Sequence, residues 1–263
     1  MNLRSWRIGV VARAVVVGAI VVFMFAPTVI MGILSFSGEP FVSFPPGHWG
    51  LRQYREALLG DRWLPALGRS LVVAISASAI ALVTGVGAVV ALNRTRLRGR
   101  GVLQAVAVSP LLVPSLGFAI ALYLVFADLH LLGTAKGLVL AHAVLGLPFV
   151  ILVVGGAITR TPRDLEGVAM SLGASRRRAL LDVTGRLLIP ALVGALLLAF
   201  ITSFDEVVVT SFVAGPGYET LPRAILADVR SGVDPAIAAV GMLLTAMSAL
   251  LLIGLRLVRR WAP

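Results

Sequence analysis

Six apolar stretches decide what this chain can become, and all but the fifth run about 20 residues or more. They extend from Ala14 to Leu34, Leu71 to Leu92, Val102 to Ala127, Gly137 to Ile158, Leu187 to Ala214 and Pro235 to Leu255. The fifth is interrupted by Asp205 and Glu206, and the fourth holds one ionisable residue, His142. A helix of about 20 apolar residues crosses roughly 30 Å of hydrocarbon with each backbone polar group bonded inside the helix. Composition agrees: 59% of residues are hydrophobic and 13% charged, with a mean hydropathy of +0.99. A soluble domain carries about a quarter charged residues to coat its surface. The expectation is an all-α, polytopic membrane protein with six transmembrane helices.

The net charge of +11 is almost wholly arginine, since Lys136 is the sole lysine. The arginines cluster between the apolar runs, which argues for membrane orientation and against nucleic-acid binding. With a cytoplasmic N-terminus, sixteen arginines fall inside: Arg4 to Arg13, Arg94 to Arg100, Arg160 to Arg186 and Arg256 to Arg260. Seven basic residues fall outside, so the positive-inside rule places both termini in the cytoplasm. The basic start followed by Ala14–Leu34 has the outline of a signal peptide. Its apolar run is too long and no small-x-small site follows, so an uncleaved first span is expected. No cysteine occurs, the three histidines stand in separate segments, and no serine has a local base. Neither a catalytic nor a metal site is expected. Between the first two spans, LRQYREALL from Leu51 to Leu59 has the spacing of a short amphipathic helix.

The connection from Thr159 to Arg186 is long for a loop between spans. Thr161, Pro162 and Asp164 have the arrangement of a capping box. Leu165, Val168, Ala169 and Leu172 recur at helical spacing, so one face is apolar. Gly173 is placed to end this helix in the left-handed conformation and Ser175 to cap the next. Such a hairpin suits docking into a groove, where each leucine or valine contributes roughly 1.5–3 kcal/mol. Periodicity alone leaves two other positions open for the stripe: against the protein's own spans, or on lipid headgroups beside Arg176–Arg178.

The segment DLEGVAMSLGAS resembles the cytoplasmic loop of ABC importer permeases, whose pattern is Glu-Ala-Ala, three residues, Gly. The run Ser203-Phe204-Asp205-Glu206-Val207-Val208-Val209, the Gly215-Pro216-Gly217 turn, Thr220-Leu221-Pro222 and Asp234-Pro235 resemble spermidine/putrescine-type permeases, in family order. The likeness covers roughly residues 66 to 255. It implies a type I ABC importer permease fold, with an N-terminal span and outer loop over 1–65, a five-span core over 66–258 and a tail over 259–263. The loop 159–186 would couple to a separate ATPase through Asp164, Leu165, Glu166, Gly167, Val168, Ala169, Leu172, Gly173, Ala174 and Ser175. Two departures stand out. The family glutamate six residues before the glycine is Gly167 here, with Glu166 one position earlier. The Leu-Pro pair after the loop is Gly185-Arg186, with only Pro190 further on.

Partners implied by the resemblance are a second permease, two ATP-binding cassette subunits that bind Mg-ATP, and an extracytoplasmic solute-binding protein. The chain itself has no P-loop: its sole lysine sits in GTAKG, so no cofactor is expected to bind directly. Ionisable residues within a membrane are functional candidates. Asp205 and Glu206, with Thr202 and Ser203, are therefore the candidate substrate path; a structural role near the headgroups is the other reading. His142 is expected to be structural. Pro110, Pro114 and Pro148 are expected to kink spans three and four, and Gly85, Gly87, Gly155 and Gly156 to serve close helix packing. A small cation such as a polyamine is the implied solute. The competing class is a secondary transporter driven by an ion gradient, which would favour an inverted repeat and midplane acids; neither is seen.

Overall fold

Helices form wherever the apolar stretches demand them. A computed structural model describes residues 3–94, 98–162, 164–232 and 234–261. Arg96 and Arg163, both counted above toward the cytoplasmic side, lie outside the described residues, as do the last two residues of the tail. The described residues form twelve α-helices and no strand. A single antiparallel bridge joins Ser37 and Trp49.

By length and composition, four helices can cross a membrane: Arg13–Ser35 within α1 (Leu3–Ser35), Trp63–Asn93 within α3 (Trp63–Arg94), α6 (Ala135–Arg160) and the continuous helix Arg176–Phe204. A fifth crossing exists if the bent pair over the third apolar stretch is taken as one. The sixth stretch opens α12 (Ala236–Trp261), whose Ala236–Leu250 portion is a shorter apolar helix. The expected count of six is thus four or five among the described residues.

Two single spans of the sequence reading are broken in the structure. Over the third stretch, α4 (Arg100–Val108) passes through a 3₁₀ turn at Ser109–Leu111 and then bends by 108° into α5 (Ser115–Asp128). Pro114 lacks an amide proton and biases Val113 away from helix, so the two prolines make a corner where a kink was expected. The fifth stretch does not continue to Ala214: α9 (Arg186–Phe204) stops, and α10 (Val208–Val213) starts after a break at residues 205–207. Pro148 by contrast lies within an unbroken α6.

The chain forms two compact units, Met1–Pro65 with Ala227–Pro263, and Ala66–Leu226. In the first, α1 packs on α12, where Gly32 faces Met242 and Gly241 faces Met31. The amphipathic helix expected at 51–59 is present as α2 (Arg52–Leu59), burying Gln53 and Ala57. The loop before it is tied by Ser35 to the Tyr54 hydroxyl (2.9 Å) and by Gln53 Nε2 donating to the Glu39 carbonyl (2.7 Å). Asp228 of α11 (Leu221–Ser231) pairs with Arg62, whose guanidinium lies 5.4 Å from the Trp63 ring centroid.

The second unit is organised by α6 against α9. Its core joins Ala81 and Val89 of α3, Val150, Ile151, Val154 and Ile158 of α6, and Ala195 and Ala199 of α9. Small residues let the helices approach. A Cβ on Gly146 would lie 3.1 Å from that of Ala199 and 3.3 Å from that of Ala81, and one on Gly85 would collide with Val150 at 2.6 Å. Of the four glycines assigned to packing, Gly85 has that role and Gly155 is in ordinary contact with Val89. Gly87 and Gly156 have nothing within 4 Å, so they do not serve packing within this chain. Gly146→Ile should overpack the three-helix contact and cost about 1–3 kcal/mol. Thermal unfolding in detergent, followed by size exclusion, should show the lower midpoint; an unchanged midpoint would contradict the packing described.

Candidate functional site

The hairpin between α6 and α9 is closed by local hydrogen bonds. Helix α7 (Asp164–Ser171) carries Asp164 and Glu166 in its first turn, where negative charge suits the helix N-terminus. Thr161 does not cap it: Thr161 closes the end of α6, and its hydroxyl donates back to the Ala157 carbonyl at 3.1 Å. The reason is local, since a threonine hydroxyl reaches the carbonyl one turn earlier on its own helix. At the other end Gly173 has φ +94, the Gly173 amide donates to Met170 (3.0 Å) and the Ala174 amide to Ala169 (3.0 Å). This is the Schellman pairing, which supplies donors for orphan carbonyls at a helix end. Ser175 then caps α8 (Arg176–Ala179), its Oγ accepting from the Arg178 amide at 3.3 Å.

From Leu180 to Gly185 the helix widens into a π turn before continuing as α9, and Thr184 within it is buried. The Thr184 hydroxyl donates to the Glu166 carboxylate. That contact gives the shifted glutamate a role: residue 166 clamps α7 to the root of α9. Gly167, where the family carries glutamate, has nothing within 4 Å of a built Cβ. The Gly185-Arg186 departure coincides with the end of the π turn and the start of α9.

The apolar face of α7 is uncovered. Leu165, Val168 and Leu172 are 41%, 56% and 83% exposed, while Ala169 is half-buried. The stripe does not pack against the protein's own spans. Arg176, Arg177 and Arg178 are exposed beside it.

The acid pair sits at the break after α9 and its members differ. Glu206 is half-buried and its carboxylate accepts from the Val209 amide at 2.8 Å, holding the first turn of α10. Asp205 is exposed, and its carboxylate makes no hydrogen bond or ion pair among the described residues. Ser203 is buried and Thr202 half-buried. Ser203 belongs to a polar node that spacing gave no means of finding: His142 Nδ1 lies 2.8 Å from Ser203 Oγ and 3.1 Å from its carbonyl, and Nε2 lies 2.9 Å from Thr210 Oγ1. The Thr210 hydroxyl also donates to the Glu206 carbonyl at 2.9 Å, which ties the node to the break. His142 thus bridges α6, α9 and α10 across the break.

Beyond α10, the Gly215-Pro216-Gly217 turn is fixed from two sides. Arg223 donates to the carbonyls of Ala214 (3.3 Å) and Gly215 (3.1 Å). A Cβ on Gly215 would meet the Gly133 Cα at 2.9 Å, so glycine is required at this approach. Asp234 caps α12, its Oδ1 accepting from the Ala236 amide at 2.9 Å. No group of metal-ligating side chains is found among the described residues.

Apolar spans, a rigid hairpin with an uncovered face and a polar break in the bundle together define a multi-pass membrane permease. A chain of a solved bacterial ABC transporter involved in import of the acidic polysaccharide alginate has the same fold, with a TM-score of 0.72 at 18% identity over 100% of this chain and 99% of that one. The family model for the binding-protein-dependent transport system inner membrane component matches residues 83–262, and the chain belongs to that family. It is the permease subunit of an ABC importer of the inner membrane. The putrescine transport system permease protein PotI of Escherichia coli K12 is 34% identical over 84% of this chain and 81% of its own. The spermidine/putrescine transport system permease protein PotC of the same strain is 31% identical over 96% of both. A putative 2-aminoethylphosphonate transport system permease protein, PhnV of Salmonella choleraesuis SC-B67, is 32% identical over 92% of this chain and 91% of its own.

His142→Phe should remove the side-chain partner of the buried Ser203 hydroxyl and one of the two partners of Thr210, and cost about 1–3 kcal/mol. Thermal unfolding of the purified variant is the measurement; a midpoint equal to that of the parent protein would remove the node from the account.

Proposed function

We propose that this permease carries a small amine-bearing cation of the polyamine class, driven by a separate ATPase that grips α7. The observation that carries the coupling role is the uncovered Leu165, Val168 and Leu172 face on a hairpin closed by Gly173 and clamped by Glu166. Two ATP-binding cassette subunits with Mg-ATP would receive this helix and its counterpart on a second permease. Their closure moves α7, and the hairpin passes the motion to α9 as the bundle alternates between inward- and outward-open states. An extracytoplasmic binding protein delivers the solute, and both termini face the cytoplasm, in line with the arginine distribution. The division into an N-terminal span over 1–65, a core over 66–258 and a tail over 259–263 belongs to the same proposal.

The solute class rests on the named solutes of the relatives, putrescine, spermidine and 2-aminoethylphosphonate, each of which carries an amine. Within this chain Asp205 is the acid placed to meet it, because Glu206 is committed to the Val209 amide. Thr202 and Ser203 supply polar groups on the same stretch.

Leu172→Asp should lower recovery of the ATPase with the affinity-purified permease by about tenfold or more, the factor for losing one buried leucine. Membrane levels should stay unchanged because Leu172 is 83% exposed. Equal ATPase recovery would refute the docking role. Asp205→Asn should raise the KM for putrescine uptake about tenfold in the reconstituted complex, through one lost charge interaction. An unaltered KM would remove Asp205 from the path. Accumulation by the purified permease alone on a proton or sodium gradient would overturn the ATP-driven reading altogether.

A further inference from the structure

At the C-terminal end of α1 the first compact unit holds a cavity of about 180 Å³. Its walls are Met31 and Leu34 of α1, Phe41 and Val42 of the following loop, and Ile237 of α12. Two polar side chains lie on its wall, and each makes one local hydrogen bond. Ser37 Oγ accepts from the Glu39 amide at 3.2 Å, and Asp234 Oδ1 from the Ala236 amide at 2.9 Å. Water needs about two to four polar partners to occupy a buried site, and an apolar cavity of about 150 Å³ stays dry and takes up a small apolar ligand instead. This cavity falls in that class by both size and lining.

The cavity is also open on one side. Phe41 and Val42 are 59% and 46% exposed, so the wall they form can be approached from outside. The helix that supplies the opposite wall is itself a candidate span, and its large apolar side chains from Val15 to Phe25 are exposed along the same helix. Where such a helix crosses a membrane, its exposed apolar surface meets acyl chains. We propose that this cavity is a lipid site, which takes the acyl chain of a membrane phospholipid between the end of α1 and the start of α12. The chain is the fitting ligand because the lining is mostly apolar and offers dispersion contacts. The headgroup would lie toward Ser37 and Asp234, at the polar end of the lining. This site is independent of the solute and of the ATPase.

The test uses the full-length protein in phospholipid vesicles containing a phosphatidylcholine with a mid-chain diazirine, followed by illumination and peptide mapping. Adducts are expected on Met31, Leu34, Phe41 and Ile237, as well as on the exposed positions Val16 to Phe23, which serve as the internal reference. Ala238 is buried on the cavity wall, and A238F would fill the space with a ring. Cavity adducts should fall about tenfold in A238F, as for loss of about 1.4 kcal/mol of binding, while the reference positions keep theirs. I237W, from the edge of the same cavity, serves as a second filling variant. If neither variant reaches the membrane, the map of the parent protein decides alone. Cavity residues left unlabelled while Val16–Phe23 are labelled, whether the space is dry or filled by another subunit, overturn the proposal. So does labelling that persists in a folded, cavity-filled variant.

Discussion

Backbone groups inside a membrane have no water to bond, so every interruption of a helix must bring its own partners. The second compact unit is built around that constraint. Where α9 ends, Glu206 supplies its carboxylate to the Val209 amide and its carbonyl to the Thr210 hydroxyl. His142 reaches in from α6 to join Ser203 with Thr210. The α10 helix that follows packs on α5, the arm beyond the Pro114 corner. Both bent stretches therefore meet, with Ala119, Phe126, Ala141, Val209 and Val213 in one cluster. An irregular backbone is tolerated there because Glu206 and a buried histidine complete its hydrogen bonding.

The same logic holds the hairpin between α6 and α9 together. At one joint the Schellman pairing closes α7 at Gly173, and at the other the Glu166–Thr184 contact ties α7 to the π turn. A glycine at 167 lowers helix propensity by about 1 kcal/mol relative to alanine. Glu166, one position earlier, makes a side-chain tie to Thr184.

Much of this was legible in the sequence because it is local. Hydrophobic runs located the helices, the Gly173 and Ser175 turn chemistry set the hairpin ends, and the amphipathic spacing at 51–59 gave α2. What was misread turns on direction or on distant contacts. Apolarity reports that a stretch avoids water but not that it doubles back, so the corner at Pro114 and the break at 205–207 looked like continuous spans. The π turn has no compositional mark. Thr161 satisfied a capping pattern yet bonds backward to Ala157, since both choices are open to a threonine at a helix boundary. The His142–Thr210 contact spans 68 positions, beyond the reach of any periodicity argument.

Asp205 and Glu206 sit in one break and take different positions in it. Neighbouring residues point about 100° apart on a helix, so two adjacent acids rarely serve one function. Ending the helix at Phe204 separates them further. Glu206 turns back to hold α10, and the His142 node anchors the same turn from the opposite side. Asp205 is left exposed on a backbone its neighbour has fixed. In the proposed substrate path, a charge that meets a passing solute must be both accessible and held still. The break exposes Asp205 while the adjacent carboxylate holds the backbone.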